Sequence, residues 1–98
     1  MNDTILTMLD HIGRMNVLAI SGGRVNYSNN NSYVELPVRQ GYKVRITHNR
    51  VPDTYTVERI LQRGCNPEKL KGIMDGVYAE QLGDTAYRAS CYSDKWGN

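Results

Sequence analysis

Tyr42-Lys43-Val44-Arg45-Ile46-Thr47-His48-Asn49 alternates side chains at a period of two, with Tyr42, Val44, Ile46 and His48 on one face and Lys43, Arg45, Thr47 and Asn49 on the other. That pattern predicts a strand with one dry and one wet face. Tyr33 to Val38 precedes it across Arg39-Gln40-Gly41, and Pro37 within that run predicts an edge strand or a bulge. Thr54 to Leu61 follows a turn at Val51-Pro52-Asp53 and sets Tyr55, Val57 and Leu61 opposite Thr54, Thr56 and Glu58. Three such runs in succession predict an antiparallel meander. After the break at Cys65-Asn66-Pro67, Lys69 to Met74 reads as a further strand despite Gly72.

Both ends of the chain carry helical spacing. Ile5, Met8, Leu9 and Ile12 recur at three and four, with Asp3 placed to cap the start and Gly13 to end the run. Tyr78, Leu82, Ala86 and Ala89 do the same from Val77 onward, with Asp75 as the cap and Gly83 inside the helix. Between the first helix and the meander, Met15 to Ile20 reads as a largely buried strand. Ser21-Gly22-Gly23 is its hairpin turn, and Arg24 to Tyr27 returns antiparallel. Ser28 to Ser32 is a polar loop suited to insertion, because Asn and Ser bond to their own backbone. The expected architecture is α+β: an antiparallel sheet of about four to six strands with an N-terminal and a C-terminal helix packed on it.

A chain of 98 residues holds one modest core, so a single domain spanning 1–98 is expected, with a frayed tail over 93–98 and Trp96 either folded back or exposed. No apolar run is long enough for a membrane span or a signal peptide, and the expectation is a cytoplasmic protein with no membrane partner. Cys65 and Cys91 are too few for a disulfide framework and read as thiols.

Candidate chemistry is sparse. Ser21-Gly22-Gly23-Arg24 follows neither phosphate-loop pattern and is expected to be a turn. His11, His48, Cys65 and Cys91 lack the paired spacing of a metal site, so no metal or other cofactor is expected. Cys91 with His48 and Asp53 or Asp75 is a conceivable triad, but nothing local marks an activated thiol, and no catalytic residue is assigned. Arg39, Lys43, Arg45 and Arg50 are separated by no acidic residue, and Arg59 and Arg63 follow, so a basic sheet face suited to nucleic acid is an alternative reading. A net charge of only +2 weakens it. Seven tyrosines with no phenylalanine favour surfaces that are half dry and half wet, and Tyr87 and Tyr92 are candidate contact residues for another protein. An open sheet edge would also allow pairing with a second copy.

The blocks Met15 to Arg24, Leu36-Pro37-Val38 with Gly41-Tyr42, Asp53 to Val57, Gly76-Val77-Tyr78 and Ala86 to Tyr92 resemble a family of small uncharacterised proteins of actinobacterial bacteriophages and prophages. The resemblance spans about Arg14 to Tyr92 and implies a phage origin and a site of action in the host cytoplasm. It carries no catalytic motif. The resulting expectation is a phage accessory protein that works without catalysis, by binding a host protein.

Overall fold

The computed structural model describes residues 2–30 and 32–97. The elements are α1 (Asp3–Ile12), α2 (Arg14–Ser21), β1 (Asn26–Ser28), β2 (Tyr33–Pro37), β3 (Tyr42–Asn49), β4 (Thr54–Leu61), β5 (Lys69–Val77) and α3 (Ala79–Ser90). The five strands form one antiparallel sheet in sequence order, and the fold is α+β.

The alternation in β3 is realised. Val44 and Ile46 are fully buried on the helix side, where β2 adds Val34 and Leu36 and β4 adds Tyr55, Val57 and Arg59. Glu35, Lys43, Arg45 and Glu58 occupy the other face. Strand β1 covers β2 only from Tyr33 to Glu35, so Pro37 sits where β2 has no neighbour on that side and its missing N–H breaks no ladder.

Helix α1 starts with Asn2, whose Oδ1 accepts from the Ile5 N–H at 2.9 Å, one residue before the expected cap at Asp3. It buries Ile5, Met8 and Ile12, each worth about 1.5–3 kcal/mol. Gly13, at φ 95°, turns the chain directly into a second helix.

That helix corrects the expected strand over Met15 to Ile20. Residues Val17, Ile20 and Ser21 face the core at helical spacing, while Met15 and Leu18 lie exposed on the outer side. A helix apolar on both faces hides its period and reads as a buried strand. Gly22 is its left-handed C-cap, so Ser21-Gly22-Gly23 closes a helix where a hairpin was expected. The return strand is displaced to Asn26–Ser28 and pairs with β2.

At the other end, α3 buries Leu82, Thr85, Ala86 and Ala89 and packs on β4, β3 and β5 and against α1 and α2. The backbone of Tyr78 stands at its N-cap with no side-chain cap, and Asp75 instead lies in β5, accepting from the Thr56 hydroxyl at 2.8 Å. Position 98 of the expected frayed tail lies outside the described residues, and Trp96, expected to be either folded back or exposed, is folded back and only 7% exposed. Its carbonyl oxygen and ring lie against Gly72, where a Cβ would stand 2.5 Å from that oxygen.

Gly83 marks the closest approach of α3 to the α1–α2 junction. A Cβ there would sit 2.5 Å from the Ile12 carbonyl oxygen and 2.6 Å from Asn16 Nδ2, and those two atoms are themselves hydrogen bonded at 2.9 Å. Helix propensity alone makes Gly→Ala stabilising by about 1 kcal/mol. Backbone crowding reverses that sign, and Gly83→Ala is expected to lower stability by about 1–3 kcal/mol in urea unfolding; a stabilised variant would show that the three helices pack less closely than this.

Candidate functional site

The open face of the sheet carries an ion-pair network. Glu35 on β2 stands opposite Arg45 on β3, and Arg45 Nε donates to its Oε2 at 2.6 Å. Glu68, from the segment before β5, accepts from Arg45 Nη2 at 2.9 and 3.0 Å and from Lys43 Nζ at 2.7 Å. Lys43 also reaches Glu35 at 3.3 Å, and the Arg45 guanidinium lies 5.2 Å from the centre of the Tyr33 ring. Two cations therefore meet two carboxylates. Burial works against the charge on Lys43 and Arg45, yet the bonds to Glu68 and Glu35 outweigh it and both cations hold their protons more tightly than usual.

The remaining cations do not complete a basic face. Arg39 and Arg50 are exposed in turns at opposite ends of β3, about 25 Å apart at a strand's rise per residue. Arg63 Nε is bonded to the Gln40 carbonyl at 3.1 Å. Arg59 belongs to the helix side and is 4% exposed, which removes it from the face where a nucleic-acid site was expected. Its Nε donates to the Ala89 carbonyl at 2.7 Å, Nη1 to Asp94 at 2.7 Å, and Nη2 to Arg88 at 3.3 Å and Cys91 at 3.1 Å. Burial makes this guanidinium easier to deprotonate than a free one, against the nearby Cys91, Tyr42 and Asp94.

Sequence reasoning placed His48 with an acid and Cys91. His48 Nε2 does meet Asp53 Oδ1 at 2.8 Å. His11 Nδ1 meets the Tyr55 hydroxyl at 2.7 Å, and the His48 and Tyr55 rings are 5.2 Å apart, around a cleft of about 280 Å³ shared with Asp3, Thr4 and Thr7. Burial, then the Asp53 charge, raises the Tyr55 phenol above its ordinary value. Cys91 lies elsewhere. It contacts Arg59, whose partner on β3 is Val44, four residues or about 13 Å along the strand from His48. The nucleophile and the base are therefore not assembled. Among the described residues, no three metal-ligating side chains converge.

Tyr87 is 45% exposed on the outer side of α3, whereas Tyr92 stacks on Tyr42 at 4.4 Å between ring centres. The two do not form one contact surface.

One apolar opening is not evident from the sequence. Leu6 and Leu9 of α1, Val17 and Leu18 of α2, and Val25 at the entry to β1 line a surface groove of about 410 Å³, with Asp10 and Arg14 at its rim. Leu6 is 52% exposed and Leu18 47%, with Met15, at 77%, on the same helix as Leu18. Reading α2 as a buried strand concealed this surface, since the groove needs a second helix with an apolar outer side.

Comparison of the chain with protein-family models, with curated proteins and with solved structures finds no match.

The ion-pair network has a pH signature. The Lys43 ammonium, against the cost of burial and with help from Arg45, holds the Glu68 carboxyl below its ordinary value of 4.5. A carboxyl with a depressed folded value contributes stability that is complete above the ordinary value and is lost as pH falls through the folded one. Urea midpoints are expected to fall from about pH 5 downward, and Glu68→Gln is expected to flatten that fall. An identical acid limb in the variant would show that the network contributes nothing.

Proposed function

We propose that the chain is a non-catalytic binding protein, and that it takes an apolar, extended segment of a partner protein into the groove between α1, α2 and β1. The observation that carries this reading is the exposure of Leu6 and Leu18 beside Leu9, Val17 and Val25 in one opening. An apolar surface of this kind, rimmed by polar groups, is where protein contacts form.

The neighbouring edge supports an extended occupant. Val25 leads directly into β1, which is the first strand of the sheet and has β2 as its one neighbour. Alternate residues of an edge strand turn their N–H and C=O groups outward, so an added strand would gain main-chain bonds while its apolar side chains enter the groove. Asp10 and Arg14 supply one charge of each sign for the flanks of the segment. The resemblance to phage proteins supports a host protein as the source of that segment. Pairing of Lys43 and Arg45 with Glu35 and Glu68 weighs against the nucleic-acid alternative, because a phosphate would have to displace carboxylates already in place.

A random library of extended peptides, followed by nuclear magnetic resonance mapping of the binders, tests this. Peptides with apolar side chains at alternate positions are expected to shift Leu6, Leu9, Leu18 and the amides of β1, and Leu18→Asp, at an exposed position, is expected to weaken them about tenfold or more. Binders that map elsewhere, or a chain that instead self-associates through this groove in sedimentation, would overturn the proposal.

A further inference from the structure

Strand β5 has β4 as its one neighbour, and its other edge carries no strand. Gly72, Ile73 and Met74 form its regular centre, paired with Arg59, Glu58 and Val57 between a register shift on either side. The C-terminal tail crosses this centre. Trp96 lies against Gly72, and a Cβ on Gly97 would stand 2.7 Å from the Ile73 nitrogen. Among the described residues, no main-chain hydrogen bond joins 93–97 to β5, so the tail covers the strand without pairing with it.

Two contacts with Arg59 hold the tail. Arg59 Nη1 donates to the Asp94 carbonyl at 2.7 Å, and the guanidinium lies 5.5 Å from the centre of the Trp96 ring. The fit is otherwise loose. Openings of about 410 and 120 Å³ flank residues 94–96, one lined also by Tyr42 and Lys71 and the other by Tyr87 and Cys91. The buried indole N–H of Trp96 has no acceptor, and an unmet buried donor counts against the docked position.

The covered strand is complementary to itself. Turned antiparallel about Ile73, the stretch Lys71-Gly72-Ile73-Met74-Asp75 sets Lys71 opposite Asp75 and Gly72 opposite Met74. Lys71 and Asp75 are exposed and, among the described residues, neither has an ion-pair partner. Gly72 and Met74 both face the helix side, as do their partners on β4, Arg59 and Val57. Met74 of a second copy would therefore enter the space over Gly72 that Trp96 fills in the single chain.

We infer that residues 93–97 are an autoinhibitory strap, and that lifting it lets β5 pair antiparallel with β5 of a second copy about a twofold axis at Ile73. Such a pair is closed, because each copy offers the same edge to the other. Lys71 facing Asp75 in both directions fixes its register. This edge shares no residue with the groove proposed for a protein partner, and either can stand without the other.

Sedimentation equilibrium of the full chain and of two released variants tests this. Trp96→Ala removes the ring over Gly72, and Gly97→Ala, at φ 71°, crowds the tail away from Ile73 and leaves the core intact should the first variant not fold. The full chain is expected to remain a monomer at about 100 μM, and the released variants to form dimers with a dissociation constant of about 10 μM. Added to a released variant, Lys71→Asp or Asp75→Lys sets like charges opposite one another and is expected to weaken the dimer about tenfold or more. An equimolar mixture of those two charge variants faces opposite charges again and is expected to restore it. A folded Trp96→Ala that stays monomeric, or a monomeric Gly97→Ala where the first does not fold, would overturn the inference. Equal association of the full chain, assemblies larger than dimers, or dimers indifferent to both charge reversals would do the same.

Discussion

A guanidinium buried on the helix side of a sheet is the constraint around which one half of this molecule is arranged. Removing a charge from water costs several kcal/mol unless its donors are met. Arg59 meets that cost with carbonyls alone, two from the last turn of α3 and two from the residues that follow. The C-terminus of a helix is the negative end of its dipole, so a cation suits this place. One side chain on β4 thereby fixes where α3 ends and where the tail begins. Gly72, its cross-strand partner on β5, leaves the space in which Trp96 lies.

Much of this was open to a reader of the sequence. The period of two in β3 and β4, and the period of three and four in α1 and α3, follow from one dry face meeting one wet face, and the elements lie close to where those patterns put them. Arg59 itself shares its strand face with Tyr55 and Val57, so the period had already turned it inward; its charge drew the reading outward, because its partners lie about thirty residues further along the chain. Glu68 was invisible for a similar reason. It approaches Arg45 from a loop, and no local pattern announces a pairing of that kind.

Helix α2 shows the opposite failure. With Val17 and Ile20 turned inward and Met15 and Leu18 outward, its eight residues have no polar face to set the period. The residues that misled the reading of secondary structure are the ones that leave apolar surface in water. Local ambiguity and the candidate binding groove have one cause, the apolar Met15 and Leu18 on the outer side of a short helix.

Strand β5 is the longer of the two outer strands, nine residues against three in β1. Such a strand is a template on which further chains can assemble without limit. The tail lies across its midpoint, with Trp96 against Gly72 and Gly97 against Ile73. An incoming strand would have to lift the tail from its cationic anchor before it could zip along the full length. The segment Trp96-Gly97 thus covers the middle of the sheet's longer outer strand, where an added strand would otherwise pair.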